Sequence, residues 1–289
     1  MLMLMQHILS FIFDENIKRL NTAFNQVRSS VTSAPLSGYV HLLDQGNAIF
    51  ISDEHKTYLI TLEFTLYFHL RTGDRLQARV TYNTGTNNNV VTEIVKVQHV
   101  SYDDAPVIKA DRSINLCNHT INLGTSILIP VIDNIDITSK VAKIQTALPN
   151  DIVPILLSFD GRPTNFNIPT TYFTKPNYSN REKLMICLLA FFHVKQQADI
   201  GKDVVLIIDS LDKMFFVFNN CMQSVGTIDP NLLFTSAITD YENILCCSGK
   251  LKTGGSLTLI GLHHAGNSAQ QMHIADRLHQ IMDQIIDIK

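Results

Sequence analysis

The sequence is short of charge, of paired cysteines and of long uninterrupted apolar stretches. Only 17% of its 289 residues are charged, and the formal net charge is −3, so the chain as a whole does not attract nucleic acid or anionic membranes. The five cysteines form no CxxC pair, which excludes common zinc sites and favours free thiols in a reducing cytosol. The apolar opening, residues 1–13, is too short to cross a bilayer. We therefore predict a globular, cytoplasmic protein with no membrane contact.

The first 35 residues are predicted to form a helical segment followed by a linker. Asp14 can cap a helix at its N-terminus. The apolar residues that recur at helical spacing after it are Ile17, Leu20, Phe24 and Val27. The apolar opening before it, residues 1–13, is interpreted as a helix with one apolar face that docks on the protein or on a partner chain.

Residues 36–102 have the pattern of a small β-barrel. Short apolar and β-branched runs are separated by turn signals such as Gln45-Gly46 and Thr72-Gly73-Asp74. These runs are Ala48–Ile51, Thr57–Thr61, Leu76–Tyr82 and Val90–Val100. A stretch of about 65 residues matches the size of a five-stranded oligonucleotide-binding (OB) barrel.

The remaining chain is predicted to be a connector and an α/β domain. Residues 103–123 are polar and irregular, and we interpret them as a connector. From residue 124 to 289, short apolar runs alternate with helical patterns, among them the run Ile152–Phe159 and the capping box Ser179/Glu182 that precedes a helix. This alternation predicts a mostly parallel sheet with helices on both faces.

One buried strand of this domain ends in an acid. Residues 203–214 read DVVLIIDSLDKM, in which the apolar run Val204–Ile208 is followed by Asp209. The carboxyl ends of strands in open α/β sheets are where ligands bind. In phosphate-loop ATPases an acid at this position holds Mg²⁺, so Asp209 is a candidate for that role.

The order of these parts, together with five phrases, resembles the bacterial transcription terminator Rho. In chain order the phrases are LRTGDRLQARV (Leu70–Val80), Arg162-Pro163, DVVLIIDSLDKM (Asp203–Met214), IDPN (Ile228–Asn231) and GGSLTLIGL (Gly254–Leu262). The resemblance covers roughly residues 38–262 and implies a cold-shock-like OB barrel followed by a RecA-like, P-loop-type domain. It further implies a hexameric, RNA-stimulated ATPase that translocates along RNA and releases transcripts.

The phosphate loop is the largest departure from that family. Such a loop needs glycines whose backbone N–H groups wrap the phosphates, a lysine for the terminal phosphates and a Ser or Thr for Mg²⁺. Residues 130–138 read PVIDNIDIT and contain no glycine. The lysine position falls on Ile137, and only Thr138 retains its type. We expect this loop not to bind ATP.

The catalytic glutamate of that family is also missing from this sequence. In the family, a catalytic glutamate stands beside the arginine that corresponds to Arg162, but this sequence has Gly161 at that position. No base is then left to position the attacking water. The predicted vestigial nucleotide site therefore consists of five residues: Ile137, Thr138, Gly161, Arg162 and Asp209.

The barrel also departs from the family pattern. Rho barrels stack bases on two aromatic residues, and neither is in register here; Tyr58 matches a family aromatic, and Phe50 is shifted by one position and is expected to point into the core. Basic residues are balanced by acidic ones along residues 36–100, so no basic groove is expected. The residues that remain candidates for RNA binding are Tyr58, Phe50, Lys56 and Arg75.

Three functions stay open at this point. The first is a catalytically inactive Rho-like transcription termination factor homologue that binds single-stranded RNA weakly, or that contacts itself or a catalytic Rho-type protein. The second is an active RNA-dependent ATPase with an atypical loop, which would use Mg-ATP, and the third is a purely structural interaction module. No cofactor is expected under the first and third. No metal is expected either, because His263-His264 has no acid nearby in the sequence.

Overall fold

The computed structural model describes residues 34–43, 47–81, 89–98, 112–131, 134–159, 168–223, 237–239, 241–242, 244–251, 254–264 and 269–288. The chain divides into two compact units, residues 1–101 and 102–289. The predicted N-terminal helical segment lies outside the described residues, as do residues 103–111 of the predicted connector.

Five strands of the first unit close into a barrel in the order β1-β2-β3-β5-β4. They are β1 (Leu36–Leu42), β2 (Ala48–Ser52), β3 (Thr57–Ile60), β4 (Arg75–Thr81) and β5 (Val90–Gln98), with a short helix, α1 (Leu62–Tyr67), between β3 and β4. Only the β3–β5 pair is parallel. The small closed barrel predicted from the spacing of the apolar runs is confirmed.

The barrel is filled by side chains from all five strands. The buried residues that form its core are Val40, Ala48, Phe50, Tyr58, Ile60, Leu70, Leu76, Ala78, Val80, Val91 and Ile94. β1 and β2 approach closely at Gly38, where a Cβ atom would lie 2.1 Å from the carbonyl oxygen of Ile51. Only glycine fits at this crossing without moving the backbone.

Part of the predicted connector is a β-hairpin. β6 (Ser113–Leu116) and β7 (His119–Asn122) pair antiparallel around Cys117 and Asn118. Both turn residues have positive φ, 48° and 72°, as a type I′ hairpin turn requires. The expectation of an irregular connector is therefore wrong for these residues, because the hairpin contributes Ile114, Leu116 and Ile121 to the core of the second unit.

The second unit is built on a seven-stranded sheet. Six strands follow the order β10-β9-β11-β13-β8-β14, every neighbouring pair is parallel, and β12 pairs antiparallel with β13. The strands are β8 (Ser126–Val131), β9 (Val153–Ser158), β10 (Thr170–Phe173), β11 (Asp203–Ile208), β12 (Gly249–Lys250), β13 (Ser256–His264) and β14 (Gln284–Ile285). The mostly parallel sheet is confirmed.

Helices cover both faces of this sheet. They are α2 (Asn134–Ala147), α3 (Asn180–Asp199), α4 (Leu211–Gln223) and α5 (Ala269–Ile281). α2 and the hairpin pack on one face, in a core cluster that includes Ile260 and Leu262 of β13. On the opposite face of the same strand α4 lies so close that a Cβ at Gly261 would be 2.4 Å from a methyl carbon of Leu211. In the described part of the chain, no helix combines the length and apolar character needed to cross a membrane.

Candidate functional site

The carboxyl edge of the parallel sheet is where the fold would hold a ligand. β13 lies between β8 and β11, so the strand before the predicted phosphate loop and the strand before Asp209 are not direct neighbours. Strand order of this kind opens a crevice at the carboxyl ends. Of the described helices, α2 follows β8, α3 follows β10, α4 follows β11 and α5 follows β13 at this edge.

Asp209 is at this edge but is held inside the protein. It is 1% exposed; the Ser158 hydroxyl donates to its Oδ2 at 2.5 Å, and the Phe159 backbone N–H donates to its Oδ1 at 2.8 Å. Both donors are at the end of β9, the neighbouring strand. Burial raises the pKa of Asp209 to about 6, although the two hydrogen bonds act in the opposite direction. Each carboxylate oxygen is thus engaged by the protein's own sheet.

The connection between β8 and α2, where the phosphate loop is predicted, is short. β8 ends at Val131 and α2 begins at Asn134, so two residues separate strand from helix, and these two are outside the described residues. Ile137, at the lysine position, is 4% exposed and belongs to the hydrophobic core, while Thr138 is half-buried. Residue 137 therefore faces the core.

The other two members of the predicted vestigial site, Gly161 and Arg162, lie outside the described residues. The structure thus describes three of the five residues, Ile137, Thr138 and Asp209.

A lysine that sequence reasoning overlooked lies close to this edge. Lys140 is 5% exposed; its ammonium group donates to the carbonyl oxygen of Pro130 at 2.7 Å and lies 3.3 Å from Asp287 Oδ1. Lys140 is three positions after Ile137 and therefore on the same helical face. From this spacing the sequence could have predicted that Lys140 is buried beside Ile137. Its charge ties the end of β8 to the C-terminal segment.

A buried acid and histidine form a second unpredicted pair at the same edge. His263 Nδ1 lies 2.9 Å from Asp212 Oδ1, and the backbone N–H of His264 donates to Asp212 Oδ2 at 2.8 Å. The prediction that no acid is near these histidines is wrong, because the fold brings together residues 51 positions apart. The described residues contain no cluster of three or more His, Cys, Asp or Glu side chains that could hold a metal ion.

The two aromatic candidates for RNA binding are inside the barrel. Tyr58 is 1% exposed and Phe50 0%, and their rings pack together with centroids 5.8 Å apart. A base stacks on an exposed aromatic face, and neither ring presents one. The strand register turns each side chain inward. This orientation was expected for Phe50, and it corrects the selection of either residue as an RNA-binding candidate.

The two basic candidates are both paired with acids. Lys56 Nζ lies 3.0 Å from Glu54 Oε2. Arg75 makes two hydrogen bonds to Asp53, at 2.6 and 3.3 Å, and its guanidinium lies over the ring of Tyr39, 4.8 Å from the centroid. Contact with a phosphate would have to compete with these acids, so the arrangement does not form a basic groove.

Comparison with known proteins identifies the fold of the chain but not its family. No family model matches the sequence, and no curated protein matches it. Among solved structures, the chain is similar to an ATPase from the type III secretion system of pathogenic bacteria, with a TM-score of 0.55 at 17% identity. The alignment covers 70% of this chain and 66% of that one, so the chain spans just under two thirds of the length of the protein it matches. The similarity shows the fold: an OB-like barrel and a RecA-like, ATPase-type sheet.

Proposed function

We propose that this chain is a Rho-like protein that uses a RecA-like ATPase fold as a scaffold for protein contacts and does not hydrolyse ATP. The observation that carries the proposal is the junction of β8 and α2. Two residues separate this strand from its helix, whereas a phosphate loop needs several backbone N–H groups that point at the phosphates. The loop position that requires a lysine is instead a buried isoleucine, Ile137.

The surroundings of Asp209 support the same conclusion. A Mg²⁺ ion bound to this carboxylate would have to share its oxygens with the Ser158 hydroxyl and the Phe159 N–H. The group is also buried, at 1% exposure. Asp209 then serves to tie β11 to β9.

The proposed partners are proteins. With Tyr58 and Phe50 buried and Lys56 and Arg75 paired with acids, any contact with single-stranded RNA would be weak. We propose contacts with a second copy of the chain or with a catalytic Rho-type protein, in the cytoplasm. The five free thiols suit that reducing compartment.

Calorimetric titration of the full chain with Mg-ATP, with and without a pyrimidine-rich RNA, tests the proposal. We expect no heat of binding at millimolar nucleotide, and the same result for the control variant Asp209→Asn. Saturable binding, or RNA-stimulated ATP turnover, that is lost in Asp209→Asn would show that the site is functional and would overturn the proposal.

A further inference from the structure

We draw no further inference here: the strongest candidate, the buried Asp212–His263 pair between the start of α4 and the end of β13, offers a ligand only two side chains, and nothing in the described part of the chain shows what would bind there.

Discussion

Replacing Asp209 by asparagine should stabilise the protein at neutral pH. Burial raises the pKa of this carboxyl from 3.8 to about 6, and one pKa unit corresponds to about 1.4 kcal/mol. The folded protein therefore carries a destabilisation of about 3 kcal/mol at pH 7 from keeping the ionised group inside. Asparagine removes the charge, while its amide oxygen can accept from Phe159 and its NH₂ group can donate to Ser158. We expect Asp209→Asn to gain about 1–3 kcal/mol in free energy of unfolding.

The pH dependence of that gain follows from the direction of the pKa change. Between pH 3.8 and about 6 the folded state binds more protons at Asp209 than the unfolded state does. This group's contribution to stability is therefore complete below about pH 3.8 and is lost as pH rises through about 6. The difference in stability between Asp209→Asn and wild type should be small at pH 4, grow from pH 4 to 6 and stay level above about pH 6.5.

Urea denaturation of both proteins across this pH range, followed by circular dichroism, measures the effect. Comparing variant with wild type cancels the other titrating groups, which the two proteins share. A matched variant, Asp209→Ala, removes the charge together with the acceptors of Ser158 and Phe159. It should lose the gain, because an unsatisfied buried N–H costs about 1–3 kcal/mol. If Asp209→Asn is less stable than wild type at pH 7, the charge is stabilising and the reasoning fails.

Three further outcomes are expected in the barrel. Because burial lowers the pKa of His41 to about 3, protonation of the unfolded chain should destabilise the barrel as pH falls from about 6.5, by at most about 1.4 kcal/mol per pH unit. His41→Phe should flatten that slope in acid denaturation, and an unchanged slope would contradict the assignment. Tyr58→Ala should cost about 3–5 kcal/mol, whereas Tyr67→Ala, at 79% exposure, should stay within about 0.5 kcal/mol; equal urea midpoints would refute the inward orientation of Tyr58. Gly38→Ala should cost about 1–3 kcal/mol, since the added carbon would collide with the Ile51 carbonyl, and a wild-type melting temperature would contradict this.

Patterns of residues close together in the sequence predict much of the fold. The capping box is present as the sequence predicts: the Glu182 N–H reaches the Ser179 hydroxyl at 3.2 Å, and Glu182 Oε2 accepts from the Ser179 N–H at 2.7 Å. The run Val204–Ile208 forms a strand buried between two parallel neighbours. In both cases the determining interactions are with neighbours in sequence or with a uniformly apolar environment, so a single sequence is sufficient.

Other features depend on contacts that a single sequence does not display. The hairpin of residues 113–122 contains only a few inward apolar residues, and its turn depends on positive φ at Cys117 and Asn118. The Asp212–His263 pair joins the start of a helix to the end of a strand 51 residues away. For Tyr58, a one-residue change in register decides between an exposed ring and a buried one. Each outcome is determined by tertiary packing.

Both units have buried apolar residues at positions where a ligand could be expected. At the phosphate-loop position Ile137 is a core residue, and on the barrel face where related folds bind oligonucleotides, Ile49, Ile51 and Leu59 are buried. An apolar side chain at such an edge gains free energy from packing, about 1.5–3 kcal/mol for a fully buried one. An apolar side chain at such a position offers no polar group to a charged ligand. Stability and the binding of a charged ligand are therefore opposed at these positions, and we expect Ile137→Lys to lower stability.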